Sequence, residues 1–180
     1  FTRLMGGPID YTPGIFQIKL EKYGGRYLHS TLAKQLALYV VLYSPLQMAA
    51  DLPENYDAHL DAFQFIKDVA VDWDDSRYIE AEPGDYLTVA RKAKGKEAWF
   101  VGSVTDENAR VSTVPLTFLD ASKTYEAKIY RDGPGAHWDS NPMVYTIERS
   151  AVNSKTVLTI PVAAGGGFAV SLVPIIGKDL

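Results

Sequence analysis

Residues 124–132, "TYEAKIYRD", alternate apolar and polar side chains with a period of two. In an extended chain, Tyr125, Ala127 and Ile129 lie on one face, and the charged residues between them lie on the other. This alternation is typical of a β-strand with one buried face and one face in water.

Segments of the same kind precede and follow this strand at a spacing of roughly 10 residues. They are "RYIEA", "DYLTVARK", "EAWFVGSV", "VSTVPLTF", "MVYTIER", "KTVLTIPV" and "GFAVSLVP". In the last of them, Phe168, Val170 and Leu172 share a face. Turn residues separate the segments, for example Pro83-Gly84 and the run 132–135, "DGPG". Residues 75–180 are therefore predicted to form an antiparallel β-sandwich of about eight strands.

Residues 1–74 follow a different pattern. A helix is predicted from Ser30 or Thr31, either of which can cap it, to a stop at Pro45. A second helix is predicted over residues 54–69. Each helix follows a short apolar segment, "FTRLM" at 1–5 and "PLQMAA" at 45–50. This order describes two consecutive βα units.

Two βα units cannot bury both faces of their sheet, and a two-stranded sheet is marginal in isolation. We therefore expect residues 1–74 to be the last two units of a (β/α)8 barrel whose earlier units lie upstream. The fold class is predicted as α+β, with a catalytic-barrel part at 1–74 and a C-terminal sandwich domain at 75–180. The chain is expected to be a C-terminal fragment.

Candidate site residues follow the predicted barrel strands, because barrel active sites lie at the C-terminal ends of strands. Asp10 and Tyr11 stand in a loop stiffened by Pro8 and Pro13, and Asp51 follows the second strand. All three are predicted to line a substrate pocket. The alternative for Asp10 is an Asx-type bond within its own loop, to the Thr12 backbone. For Asp51 the alternative is a cap on the next helix or a place in the turn that follows.

Composition excludes several classes of function. A net charge of −4 provides no basic field for nucleic acid. The absence of cysteine excludes thiolate chemistry and Cys-based zinc sites. The most apolar window, 36–50, is shorter than the roughly 20 residues that a membrane span needs. The histidines show no metal-ligand spacing. Trp138 stands in a predicted turn, where it could stack on a sugar or pack over a sheet edge.

Long motifs in the chain resemble the C-terminal part of glycoside hydrolase family 97. They are "FTRLMGGPIDYTPGIF", "TLAKQLALYVVLYSPLQMAADLPENY", "FQFIKDVAVDWDDSRYIEAEPGDYLTVARKAKG" and "VGSVTDENAR". The resemblance continues to "IPVAAGGGFAVSLVPI". The family includes bacterial α-glucosidases and α-galactosidases. The first motif looks closer to the glucosidase type, whose members invert the anomeric configuration.

The resemblance implies an N-terminal sandwich, a central (β/α)8 barrel and a C-terminal sandwich sometimes described as an oligomerisation domain. The catalytic glutamates and the calcium ligands of the family would lie upstream of Phe1. No catalytic residue and no metal ligand is therefore assigned to this chain. The implied partners are an oligosaccharide substrate, the upstream part of the same polypeptide and a second subunit. The implied location is periplasmic or exported.

Three functions remain open from the sequence. The chain could be part of an exo-acting α-glycosidase, active only in the complete polypeptide. It could be an assembly or carbohydrate-binding module without catalytic activity. It could also be a small enzyme that uses Asp10 and Asp51, although no activating partner for either carboxylate is visible.

Overall fold

The computed structural model describes residues 7–20 and 26–175, with the backbone alone at Arg26 and Tyr27. Its helices are α1 (Leu32–Val41), α2 (Pro53–Asp57) and α3 (Leu60–Asp68). Its strands are β1 (Lys19–Leu20), β2 (Arg26–Tyr27), β3 (Trp73–Glu82), β4 (Tyr86–Ala93), β5 (Trp99–Thr105), β6 (Arg110–Pro115), β7 (Tyr125–Asp132), β8 (Tyr145–Val152), β9 (Val157–Val162) and β10 (Gly167–Pro174).

The strands from β3 to β10 form an antiparallel sandwich, as predicted. One sheet has six strands in the order β3-β4-β5-β10-β7-β8, and the other pairs β6 with β9. All eight predicted strands are confirmed. The predicted faces are confirmed as well, because Tyr125, Ala127 and Ile129 lie in the core between the two sheets. Phe168, Val170 and Leu172 lie in the same core.

The opposite face of the six-stranded sheet is covered by helices. Helix α1 crosses it and contacts β5 and β10 most extensively. The core between them includes Leu32, Leu36, Val40, Phe65, Leu87, Val89, Phe100, Tyr130 and Ala169. Residues on both sides of the predicted boundary at 74/75 therefore share one hydrophobic core.

Glycines in two strands allow α1 to approach the sheet closely. A Cβ atom on Gly102 would lie 2.7 Å from the Ala37 carbonyl oxygen and 2.8 Å from Val40 Cβ. A Cβ atom on Gly167 would lie 3.0 Å from Lys34 Cα. Side chains at these positions would push the helix away, so the glycines set the distance between helix and sheet.

A buried carboxylate joins the N-terminus of α1 to the sandwich. Thr31 caps the helix by accepting a hydrogen bond from the Lys34 N–H at 3.2 Å, as predicted. The Thr31 hydroxyl donates to Asp132 Oδ1 at 2.6 Å, and Asp132 Oδ2 accepts from Ala163 N–H at 2.9 Å and Gly167 N–H at 3.0 Å. Burial raises the pKa of Asp132, although these bonds and the nearby ammonium of Lys34 act in the opposite direction.

The C-terminus of α1 is capped by a side chain from the sheet. Arg91 on β4 is buried, and its Nε donates to the Val40 carbonyl at 2.7 Å. Another nitrogen of the same guanidinium donates to Ser76 Oγ at 2.7 Å. The last carbonyls of a helix have no partner within the helix and carry partial negative charge, so a cation is favourable there. Burial lowers the pKa of Arg91, as expected for a desolvated cation.

The helical part departs from the prediction in three places. Helix α1 ends at Val41, with Leu42 in an extended conformation, and therefore stops before Pro45. The helix predicted over 54–69 is divided into α2 and α3 at His59, whose φ of −142° is not helical. Residues 45–50 form no strand and pair with none of the described strands. The strand predicted at 1–5 lies outside the described residues.

The barrel assignment of residues 1–74 stays a prediction. Across the part of the chain that the structure describes, no helix has the length and apolar character needed to cross a membrane.

Candidate functional site

The predicted site residues lie in two adjacent segments without regular secondary structure, residues 7–17 and 42–52, here called the paired loops. The Ala50 N–H donates to the Pro13 carbonyl at 3.1 Å and joins one loop to the other. The structure therefore brings the two predicted pocket segments together, although they are about 35 residues apart in the chain.

Two side chains of α1 hold the first loop in place. Gln35 Oε1 accepts hydrogen bonds from the Gly14 N–H at 3.3 Å and from the next N–H at 3.2 Å. The Tyr39 hydroxyl lies 3.0 Å from the Pro13 oxygen and 2.9 Å from the Met48 oxygen. Gly14 has a φ of +91°, and a Cβ there would lie 2.4 Å from the Tyr39 hydroxyl oxygen. Only glycine fits this position without strain.

Asp51 uses both carboxylate oxygens to anchor the paired loops. Oδ2 accepts from Phe16 N–H at 2.7 Å and Gln17 N–H at 2.6 Å. Oδ1 accepts from Leu52 N–H at 2.8 Å and Asn55 Nδ2 at 2.6 Å. Burial alone would raise the pKa of Asp51, but these four bonds stabilise the carboxylate and lower the pKa. Asp51 thus connects the loops, and a contact with substrate at this residue stays a prediction.

Asp10 and Tyr11 present their side chains at the surface of the paired loops. Asp10 is exposed and makes no hydrogen bond to any residue that the structure describes, so the alternative bond to Thr12 is not formed. Tyr11 is 36 % exposed, and partial burial raises the pKa of its hydroxyl. Their role in lining a substrate pocket therefore stays a prediction that requires the upstream part of the protein.

Large apolar side chains are exposed in the second of the paired loops. Leu46 is 71 % exposed, Met48 47 % and Leu52 63 %. Between them, Gln47 Oε1 is buried and has no hydrogen-bond partner among the described residues. Exposed apolar groups close together in the chain are typical of a surface that another part of a protein covers.

A second polar feature lies inside the sandwich, in a cleft of about 200 Å³ between β3–β5 and β6. Glu80 Oε2 accepts from Thr88 Oγ1 at 3.2 Å and from Ser112 Oγ at 2.5 Å. Thr88 and Ser103 share a hydrogen bond of 2.8 Å. Arg110, at the mouth, bonds Thr105 at 2.9 Å. These polar side chains provide hydrogen-bond partners for one another. The cleft is therefore explained as an internal polar network and requires no ligand.

The remaining predicted candidates do not form a reactive constellation. Among residues 7–20 and 26–175, no three His, Asp or Glu side chains come together as metal ligands. Trp138 is half-buried, with its ring 4.2 Å from that of His29 between centroids. The Trp138 N–H donates to the Ala164 carbonyl at 3.1 Å. This position favours packing over the 163–166 turn as the role of Trp138.

Sequence reasoning missed the side chains that build the paired loops. Besides Gln35 and Tyr39, Tyr56 accepts from the Asp51 N–H at 2.9 Å and donates to the Gly14 carbonyl at 2.7 Å. The available signal was the spacing of Gln35 and Tyr39, which places two polar groups on the buried stripe of a helix, where they need partners.

Comparison with known proteins gives this chain its family. Residues 72–173 match the family model described as "Glycosyl-hydrolase 97 C-terminal, oligomerisation". The chain belongs to glycoside hydrolase family 97. The match begins one residue before β3 and ends within β10, so it covers the sandwich.

Relatives of this family 97 chain extend the likeness to its helices. A family 97 enzyme from Pseudoalteromonas sp. strain K8, solved in complex with acarbose, is 46 % identical with a TM-score of 0.92 over 97 % of this chain. A retaining α-galactosidase from Bacteroides thetaiotaomicron is 34 % identical over 96 % of this chain. A β-arabinopyranosidase, 22 % identical with a TM-score of 0.74, shares the fold.

The family 97 chain spans about a quarter of these proteins. It covers 27 % of the Pseudoalteromonas enzyme and 26 % of the Bacteroides enzyme. What those proteins bind or hydrolyse therefore belongs to molecules about four times as long as this chain.

Proposed function

We propose that the complete protein is an exo-acting α-glycosidase that removes terminal α-linked sugars from oligosaccharides, and that this chain is its non-catalytic C-terminal portion. Membership of family 97 together with coverage of about a quarter of each relative carries the proposal. The state of the carboxylates supports it. Glycoside hydrolysis needs a proton donor and a second carboxylate, and Asp51 already accepts four hydrogen bonds within this chain.

The preferred specificity is for α-glucosides. The Pseudoalteromonas enzyme was solved in complex with panose, a trisaccharide of α-linked glucose, and is 46 % identical to this chain. The α-galactosidase from Bacteroides is 34 % identical. Calcium belongs to the proposal only for the complete protein, because the described residues offer no group that fits the ion.

Residues 1–74 are proposed to close the catalytic barrel. The exposed side chains of Leu46, Met48 and Leu52 support this role. An adjacent barrel strand would give residues 45–50 backbone partners, and neighbouring barrel units would cover the apolar side chains. Asp10 and Tyr11 would then face the substrate pocket.

The sandwich is proposed to join subunits as well as to support the barrel. The description of the matching family model as an oligomerisation domain supports this second role. A periplasmic or exported location is part of the same proposal and rests on the family alone.

Hydrolysis of p-nitrophenyl glycosides tests the catalytic proposal. The complete polypeptide is expected to hydrolyse the α-glucoside with a kcat/KM at least about tenfold above that for the α-galactoside, a difference of about 1.4 kcal/mol in transition-state stabilisation. The purified 180-residue chain is expected to show no hydrolysis above buffer. Circular dichroism of the same sample establishes that the chain is folded.

Two results would contradict different parts of this proposal. Hydrolysis by the folded 180-residue chain would show that it contains a catalytic pair of its own. A complete polypeptide that prefers the α-galactoside would leave the division of labour intact and overturn the glucosidase specificity.

A further inference from the structure

The outer face of the two-stranded sheet is uncharged. It consists of alternate residues of β6 and β9, which point away from the core, and is here called the VTP face: Val111, Thr113, Pro115, Val157, Thr159 and Pro161. Val111 is 62 % exposed and Val157 54 % exposed. The intervening residues, such as Val114 and Ile160, are buried in the sandwich core.

Other exposed strand surfaces of the chain carry many charges. Edge strand β3 contains Asp74, Asp75 and Arg77, and edge strand β8 contains Glu148 and Arg149. Charges and bulges of this kind protect strand edges from unwanted pairing, and β3 has two register shifts against β4. The VTP face itself carries no charged side chain, so its composition differs from that of these two edge strands.

The VTP face has an internal twofold arrangement. The sequences "VSTVP" (111–115) and "VLTIP" (157–161) share the pattern Val-x-Thr-x-Pro. Their antiparallel register places Val111 opposite Pro161, Thr113 opposite Thr159 and Pro115 opposite Val157. Rotation by 180° about an axis through the threonine pair therefore exchanges like residues.

We propose that the VTP face is the surface through which two copies of this chain associate, face to face. The proposal rests on the self-association proposed above and names its surface. An isologous interface uses the same patch on both subunits and must be complementary to itself. A neutral patch meets its copy without charge repulsion. If the two patches stack centre on centre, the internal symmetry lays the threonine pair of one copy over that of the other and each valine over a proline.

The prolines favour contact through the face over contact through the strand edges. Pro115 and Pro161 have no N–H, so each interrupts the donors that an added strand would need. The face itself offers β-branched side chains that can interdigitate at the dry centre of an interface. Two five-residue strands cover much less than the roughly 800 Å² per partner of a standard interface. The VTP face would therefore form the centre of the contact. Its polar rim would include Glu80, which accepts a hydrogen bond from the Thr113 N–H, and Arg131 and Glu148, which line a cleft with the outer residues of β9.

Sedimentation velocity over a concentration series of the 180-residue chain tests this assignment. The unmodified chain is expected to associate, and the double variant Val111→Glu/Val157→Glu to weaken the dimer at least 100-fold. The matched control is Val71→Glu/Val173→Glu, which introduces the same charges at two other exposed valines, 44 % and 49 % exposed. The control is expected to associate like the unmodified chain.

Thiol cross-linking provides a second measurement that keeps the face neutral. The chain has no cysteine, so a single Thr113→Cys substitution introduces a unique thiol next to the local axis. Sheets that pack face to face lie about 10 Å apart, which is beyond the reach of a disulfide. A short bifunctional linker that reacts with two thiols therefore reports close approach of the two faces. Rapid cross-linking of Thr113→Cys, with slow cross-linking of Val173→Cys, would support the proposal even if the glutamate variant failed to fold.

The possible results distinguish two hypotheses: that the chain self-associates, and that it does so through the VTP face. A chain that associates equally well with and without the glutamates, and cross-links equally at both thiols, would overturn the VTP face and leave self-association intact. A chain that stays monomeric at every concentration would contradict both. Unchanged sedimentation of the variant together with a lowered unfolding temperature of the complete polypeptide would assign the face to the upstream part of the protein, and would also overturn the proposal.

Discussion

Replacing Asp132 with alanine lowers the free energy of unfolding of the chain by about 3–5 kcal/mol, the usual cost of removing one member of a buried charged network. Asp132 is only 4 % exposed and joins the cap of α1 to the turn between β9 and β10. Without it, the Thr31 hydroxyl and the N–H groups of Ala163 and Gly167 lose their acceptor. The partly buried Lys34 ammonium loses one of the two carboxylates, Asp132 and Asp106, that favour its charged form.

Urea denaturation followed by circular dichroism measures this loss. The matched control is Glu126→Ala on the same strand, whose partner Arg149 is 60 % exposed. An exposed ion pair of this kind contributes at most about 1 kcal/mol. Equal losses for the two variants would show that the carboxylate network does not hold α1 against the sandwich.

Replacing Gly102 with valine is expected to cost about 3 kcal/mol, at the upper end of the range for overpacked cores. A Cβ alone at this position would lie 2.7 Å from the carbonyl oxygen of Ala37, which is backbone and cannot rotate away. The helix must therefore shift, and its other contacts with the sheet are disturbed. Thermal unfolding of the variant measures the cost.

Ala151→Val serves as the control for the larger side chain. Ala151 lies in edge strand β8 and is exposed, so valine there meets open space and suits a strand. We expect its unfolding temperature to match that of the unmodified chain. An unchanged unfolding temperature for Gly102→Val would mean that α1 does not lie directly on β5.

The sandwich was predictable from sequence because its signal is local. Alternation within eight residues, as in "TYEAKIYRD", already states which side chains face a core. The register and the partition into six and two strands require contacts between distant residues. Gly167, for example, pairs with Val104, a relation that no local pattern contains.

The packing of α1 against the six-stranded sheet was not predicted, although the residues that hold it there are unusual for their positions in the sequence. Gly102, Arg91 and Asp132 occur inside predicted strands, where a glycine or a charge at a buried position is unusual. Gly102 makes room for the helix. The two charges bind the ends of the helix and, at the same time, groups of the sandwich. Such residues signal an unidentified partner, but the identity of that partner is a tertiary fact.

The location of the candidate site was predictable from the sequence, but the hydrogen-bonding role of Asp51 was not. Loops after two apolar segments were expected to lie together, and the paired loops do so. The role of Asp51 depends on Phe16 and Gln17, 34 to 35 residues away. The bonds of Oδ1 to Leu52 and Asn55 are local and fit the turn that was the predicted alternative, whereas no feature near Asp51 indicates the bonds of Oδ2.

The helices and the sandwich share one hydrophobic core, and we therefore expect them to fold as one unit. Cooperative unfolding of residues 1–180 and of residues 75–180, measured side by side in urea, tests it most directly. Removal of residues 1–74 uncovers Leu87, Val89 and Phe100, each worth about 1.5–3 kcal/mol when buried. We predict one cooperative transition for the longer chain and none for the shorter. A shorter chain that unfolds cooperatively at the same urea concentration would show that the sandwich folds without the helices.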